Sequence, residues 1–239
     1  MVKLLEADIY YSNELNPKIW NGLELKPEVS AKLKEIAYAF IEYVDLPEMP
    51  IVDIKFCGSN VDYNYHSQSD IDLHIITDFD AIIHDNPDIP PLDDYFFDKK
   101  KIFNDEHNIT IYGLPVELYV EDKKSPAKSN GAYSILNDKW ISKPKKLKVE
   151  PYKFLDEKEL DIKIQDIMKE IDDVMSSEFN IEGAKEILKT LRLNRELGLA
   201  TFGEFSNENI IYKTLRNNGY LDKLRKYVKK NQDKKLSLP

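Results

Sequence analysis

Two aspartates, Asp70 and Asp72, stand two residues apart in the segment DIDLHIIT at 70–77. The segment is otherwise apolar and alternating, which predicts a β-strand with both carboxylates on one face. Oxygen ligands at this spacing suit a hard cation such as Mg²⁺. Two acids that open an apolar strand are costly to bury without a cation, although exposed edge-strand acids would show the same spacing. The pair is therefore the first candidate for chemistry.

A Gly-Ser pair, Gly58 and Ser59, precedes these acids and ends the alternating segment IVDIKFC at 51–57. This order predicts a strand that runs into a tight turn. Glycine lets a backbone approach a ligand closely, because a Cβ would obstruct it. Amides at a following helix start and the Ser59 hydroxyl would donate to a phosphate. Phosphate donors beside metal-binding carboxylates predict a site for a nucleoside triphosphate.

The order of Gly-Ser, a loop and Asp-x-Asp resembles the signature of the DNA polymerase β-like nucleotidyltransferase superfamily. Two further stretches, 111–144 and 203–224, resemble nucleotidyltransferases that are common in tailed bacteriophages and bacteria. The resemblance covers most of the chain beyond about residue 50. Its Gly-Ser motif falls at a predicted turn and its Asp-x-Asp motif on a predicted strand. These relatives share only a generic activity, so they indicate no substrate.

The superfamily needs a third carboxylate on a later strand, between apolar residues. Glu117 fits this position, because it lies between Val116 and Leu118 after a turn at Gly113. An outward-facing strand residue would have the same neighbours, and Glu121 or Asp122 are alternatives. Members often have aspartate here, so glutamate is a departure that keeps the ligand chemistry intact.

The resemblance also implies roles for individual residues. The acids that would bind two Mg²⁺ or Mn²⁺ ions and carry the catalysis are Asp70, Asp72 and Glu117. The residues that would bind the nucleotide are Gly58, Ser59, Ser69, Arg192 and Arg195. The two arginines are included because superfamily members draw a cation for the triphosphate from a later helical region. Each could instead form a structural ion pair.

Hydrophobic periodicity predicts an α+β fold: a small mixed β-sheet nucleotidyltransferase core flanked by helices, followed by a C-terminal helical portion. A helix is expected at 27–44 and a β-hairpin across Gly113. The Asp-rich segment 78–106 is predicted to be a long connection between strands with at most short helices. We expect residues 1–145 to form the catalytic domain and residues 146–239 a helical domain.

The helical domain should contain four helices, with their ends set by glycines and a cap. The expected ranges are 156–174, 181–197, 206–218 and 220–230. Gly198 is placed to end the second of them, and Gly219 the third, because glycine readily adopts the left-handed conformation that follows many helices. Ser206 should cap the third.

The charge balance limits the classes of partner. The net charge is −9 and the pI about 5.1, which argues against sequence-independent binding of duplex DNA. One cysteine, Cys57, cannot form an internal disulfide and is expected in the core. No apolar run is long enough to cross a bilayer and no secretory signal is evident, so we expect a cytoplasmic protein without a membrane partner.

The sequence thus predicts metal-dependent transfer of a nucleoside monophosphate from an NTP to a hydroxyl, with release of pyrophosphate. Three acceptors stay open: an RNA or tRNA end, a small molecule such as an aminoglycoside, and a second nucleotide. The alternative is a non-catalytic nucleotide-binding or scaffold protein that retains the fold. The oligomeric state is not indicated by the sequence.

Overall fold

The structure is a computed structural model that describes residues 12–46, 49–67, 69–126, 129–145, 157–177 and 179–237. It is α+β, as predicted. The described residues up to 145 form one compact unit, and those from 157 onward form another. The predicted domain boundary after residue 145 adjoins residues outside these ranges and stays a prediction. None of the described helices combines the length and the apolar character that a bilayer crossing requires.

The first unit opens with a two-stranded hairpin, β1 (Trp20–Asn21) and β2 (Glu24–Leu25), and a long helix, α1 (Pro27–Val44). The helix matches the predicted range. Its proline lies in the first turn, where a missing N–H is harmless. Its buried face consists of Val29, Ser30, Leu33, Ile36, Ala37, Phe40 and Val44.

A six-stranded sheet follows the hairpin and helix. In chain order its strands are β3 (Ile51–Cys57), β4 (Ile71–Thr77), β5 (Thr110–Ile111), β6 (Leu114–Asp122), β7 (Ala132–Ser134) and β8 (Lys139–Ser142). Their spatial order is β5-β6-β4-β3-β7-β8. The pairing of β4 with β6 is parallel, and the other pairings are antiparallel. The predicted strands and the hairpin across Gly113 are confirmed.

The two faces of the sheet differ in polarity because side chains alternate along each strand. On β4, Ile71, Leu73 and Ile75 are fully buried, and they join one hydrophobic cluster with α1. Asp72 and His74, between them, are only partly buried and belong to the opposite face. One face therefore closes the core, and the other is available for polar chemistry.

The segment 78–106 differs from the prediction of at most short helices. It contains α2 (Phe79–Asp85) and a 15-residue helix, α3 (Leu92–Glu106). Only Leu92, Phe96 and Phe103 of α3 are buried. This narrow apolar stripe is hard to see in sequence, because charged residues occupy most of the rest of the helix and Phe97 and Ile102 are exposed. Acidic residues in its first turn also favour the helix, since they lie near the positive end of its dipole.

The second unit consists of α4 (Glu157–Ser176), α5 (Ile181–Phe202), α6 (Asn207–Asn217) and α7 (Tyr220–Leu236). The Ser206 cap is confirmed, because its side chain accepts a hydrogen bond from the Asn209 amide. The prediction that Gly198 ends α5 is wrong, since the helix continues to Phe202. A Cβ at Gly198 would lie 2.7 Å from the Ser206 hydroxyl oxygen, so this glycine permits close packing instead.

A buried asparagine joins the turn after β3 to the start of β4. The Asn60 amide nitrogen donates to the backbone oxygens of Ser69, at 3.3 Å, and Asp70, at 2.7 Å. Its side-chain oxygen accepts from the Asn16 amide group at 2.7 Å, and its backbone oxygen accepts from the Trp20 indole at 2.7 Å. Because Asn60 is fully buried, these bonds hold the turn, the strand and the N-terminal hairpin together.

Asn60→Ala should lower the free energy of unfolding by about 2–3 kcal/mol, because the Asn16 side-chain amide and the Asp70 backbone oxygen lose their hydrogen bonds to Asn60. Urea unfolding of the full chain measures this difference. The matched control is Asn108→Ala at an exposed position, which should change stability by less than about 0.5 kcal/mol. Equal effects of the two substitutions would contradict the role of Asn60.

Candidate active site

Three carboxylates meet on the polar face of the sheet. Asp70, Asp72 and Glu117 each offer one oxygen, and these three atoms all lie within 4.8 Å of one another. All three residues are partly buried. Converging oxygen ligands with solvent access could hold a hard divalent cation. The structure thus brings together the three acids that the sequence predicts.

The strand register explains why the acids converge. β4 and β6 are parallel neighbours, and Asp72 lies opposite Glu117. Paired residues point to the same face of a sheet, so the two carboxylates project side by side. Asp70 immediately precedes β4 and is two residues from Asp72, which places it toward the same face. The parallel pairing of β4 with β6 therefore brings Glu117 next to the two aspartates in space, although it is far from them in the sequence.

Gly58 makes room for one of these carboxylates. Its φ is +82°, a conformation that only glycine adopts readily. A Cβ at this position would lie 1.8 Å from Oδ2 of Asp72, far inside van der Waals contact. Gly58 thus gives space to the Asp72 carboxylate, a role that the sequence did not predict. Any contact of the Gly58 backbone with phosphate stays a prediction.

The two serines of the predicted nucleotide site bond to each other. Ser59 lies in a short 3₁₀ turn (Ser59–Val61), and its hydroxyl donates to the Ser69 hydroxyl at 2.9 Å. The Ser69 oxygen also accepts from the His66 amide at 3.0 Å. Ser69 is buried, whereas Ser59 is partly exposed. Ser69 thus shapes the turn, and Ser59 is the better placed of the two to meet a ligand.

Two residues that the sequence did not single out adjoin the acids. The Tyr119 hydroxyl donates to Oε2 of Glu117 at 2.7 Å, and burial raises the pKa of this tyrosine. Lys100 of α3 places its ammonium group 3.9 Å from the centre of the Tyr119 ring. Burial lowers the pKa of Lys100, while the nearby Glu117 and Asp72 carboxylates oppose that change. Lys100 therefore brings a positive charge to the acidic site.

The alternative third acids have other partners. Glu121 lies 3.1 Å from His74 and 3.6 Å from the Lys55 ammonium group. The proximity of His74, and then the charge of Lys55, lower the pKa of Glu121. The Asp122 carboxylate accepts from the Phe79 amide at 3.3 Å. Of the three acids considered from the sequence, Glu117 is therefore the one grouped with Asp70 and Asp72.

The two predicted nucleotide-binding arginines lie on α5 of the second unit. Arg192 is exposed and pairs with Glu196 one turn away, at 2.9 Å. Arg195 donates to the Asn209 side chain at 3.1 Å, and its guanidinium lies 4.7 Å from the centre of the Tyr212 ring. These contacts all lie within the helical unit. A role of either arginine in nucleotide binding stays a prediction.

Comparison of the chain with protein-family models, with curated proteins and with solved structures gave no match. The function must therefore be argued from the geometry of the site together with the sequence pattern.

Gly58→Ala should destabilise the protein by about 3 kcal/mol or more, because it adds a steric collision with Asp72 to the strain of a positive φ. The matched control is Gly113→Ala. Gly113 has a φ of +80°, but a Cβ added there would have no neighbour within 4 Å, so only the strain of about 1–2 kcal/mol applies. Urea unfolding measures both. Similar losses in the two variants would show that Gly58 does not make room for Asp72.

Proposed function

We propose that this chain is a metal-dependent nucleotidyltransferase that moves a nucleoside monophosphate from an NTP to a hydroxyl group and releases pyrophosphate. The observation that carries this proposal is the convergence of the Asp70, Asp72 and Glu117 oxygens within 4.8 Å. The Gly-Ser turn beside Asp72 adds the second feature that the sequence pattern of this class requires.

The donor set fits Mg²⁺ or Mn²⁺. All three groups are carboxylates, which are hard oxygen ligands, and none of them is deeply buried, so ions and water can reach them. Three negative charges at this spacing also repel one another, and a bound cation would relieve that repulsion. When bound, the metal would neutralise phosphate charge and lower the pKa of a coordinated hydroxyl.

The residues of the chain then have separate tasks. Asp70, Asp72 and Glu117 hold the cations and thereby orient the phosphate groups that bind with them. The partly exposed Ser59 hydroxyl can donate to a phosphate oxygen in place of its bond to Ser69. Lys100 of α3 lies against the Tyr119 ring, near enough to Glu117 and Asp72 to feel their charges, and we assign it to the negatively charged oxygens of the triphosphate.

The acceptor is a hydroxyl-bearing molecule, and the same three candidates stay open. An RNA end, a second nucleotide and a small molecule all offer a hydroxyl that the carboxylate site could orient. The net charge of −9 supports a short or cationic acceptor over a long duplex, because a long polyanion would be repelled.

Asp72→Asn should reduce nucleotidyl transfer by more than about 100-fold, because loss of a direct ligand should exceed the 10–100-fold typical of residues that only orient one. The assay supplies each α-labelled NTP with Mg²⁺ or Mn²⁺ and either pooled RNA or a polar-metabolite extract. Saturating Mn²⁺, at about 100 times its Kd, should also stabilise the wild type by about 2.7 kcal/mol and the variant far less.

The matched control for this experiment is Asp98→Asn, which removes the same charge from an exposed position on α3. It should retain both transfer and stabilisation by Mn²⁺. Transfer that persists in Asp72→Asn would place the reaction elsewhere. Stabilisation by Mn²⁺ without transfer to any acceptor would favour the non-catalytic alternative.

Lys100→Met should raise the KM for the NTP about 10-fold while kcat changes less, because a charge-assisted contact to phosphate is lost. Lys99→Met is the matched control. Lys99 lies on the same helix, with its ammonium group 5.5 Å from the ring centres of Tyr43 and Tyr95. Steady-state kinetics on both variants would contradict the assignment if their KM values changed equally.

A further inference from the structure

The third acid of the site is a glutamate, and its extra methylene group has a structural consequence. Glutamate has one more rotatable side-chain bond than aspartate, so its carboxylate reaches more positions from the same backbone. A flexible metal-ligating side chain weakens metal binding, because it loses conformational entropy when the metal binds. In this structure an oxygen of Glu117 nevertheless lies within 4.8 Å of both aspartates.

The Tyr119 hydroxyl confines this carboxylate. It donates to Oε2 of Glu117 at 2.7 Å, an ordinary length for an O–H···O hydrogen bond. Glu117 and Tyr119 are alternate residues of β6, so both side chains lie on the polar face of the sheet. The bond therefore links two neighbours on one rigid strand.

The Tyr119 ring is held in turn by residues from two other elements. The His74 ring stacks on it, with 4.7 Å between ring centres and 18° between planes, because β4 and β6 pair His74 with Tyr119. Glu121, on the same face of β6, lies 3.1 Å from His74 Nδ1. The Lys100 ammonium group lies 3.9 Å from the centre of the Tyr119 ring. The hydroxyl that reaches Glu117 is thus carried by a ring with little freedom.

We propose that Tyr119 is a positioning residue that orients Glu117 toward Asp70 and Asp72, and so allows a glutamate to act as the third metal ligand. This inference rests on the proposed function for the identity of the ligand, a divalent cation. It adds that the hydroxyl and the longer acid work as a pair. An aspartate at 117 would be too short to make the same bond, so the hydroxyl would then be without effect.

The test is a double-mutant cycle on Mn²⁺ affinity in the full chain, measured by electron paramagnetic resonance of free Mn²⁺. Tyr119→Phe keeps the ring and removes only the hydroxyl. It should weaken Mn²⁺ binding about 10-fold or more in the wild-type background, as removal of orienting partners of metal ligands does. In the Glu117→Asp background the same change should alter binding less than about 2-fold.

The control variant is Tyr95→Phe, which removes a hydroxyl that donates to the Val44 backbone oxygen at 3.1 Å, away from the acids. It should leave Mn²⁺ affinity unchanged, whereas its thermal stability reports a purely structural loss. Unchanged Mn²⁺ affinity in Tyr119→Phe, or equal weakening in both backgrounds, would overturn the positioning role and leave the proposed function standing. Absence of Mn²⁺ binding by the wild type would overturn both.

Discussion

Three carboxylates repel one another, and this repulsion is the constraint that the sheet must overcome to keep the acids together. At separations of about 5 Å, each pair of charges repels by about 1 kcal/mol in a water-like medium and about 3 kcal/mol at an effective dielectric constant of 20. Partial exposure keeps Asp70, Asp72 and Glu117 toward the lower value. The backbone must still hold together side chains that would separate if they were free.

The parallel pairing of β4 and β6 supplies that restraint. Seven consecutive residues of β4, from Ile71 to Thr77, are in register with residues Val116 to Asp122 of β6. The opposite face of these strands is buried in the hydrophobic core. A shift of one residue would turn apolar side chains into solvent and acids into the core, so burial fixes the register. Burial of the apolar face thus also fixes the positions of the three acids on the opposite face.

Much of the sheet and the acid site could be predicted from the sequence because both follow short-range patterns. Alternation in 51–57 and 70–77 predicts the strands, whereas Glu117 is expected because the superfamily resemblance implies a third acid, with Glu121 and Asp122 as alternatives. These patterns are local, and each strand carries its own signal. The predicted fold class is confirmed, and the predicted acids lie together, while the activity stays a proposal.

The features that the sequence did not reveal depend on distant parts of the chain. Lys100 belongs to a helix whose apolar stripe has only three buried residues, and the sequence pattern gives no reason to place it near Glu117. Tyr119 looks like an ordinary strand residue until its hydroxyl is seen on the carboxylate. Gly198 is predicted to end a helix because glycine often does so, but in the structure it lies within the helix and packs against Ser206. Contacts of this kind require the packed structure.

The close fit between Gly58 and Asp72 also has a consequence for the divergence of related chains. Because no side chain can occupy position 58 while the Asp72 carboxylate keeps its place, position 58 can change only if the Asp72 side chain moves or is replaced. A descendant sequence could keep all three acids and still lose the site through one substitution at this glycine. An intact centre therefore requires glycine at 58 in addition to the three acids.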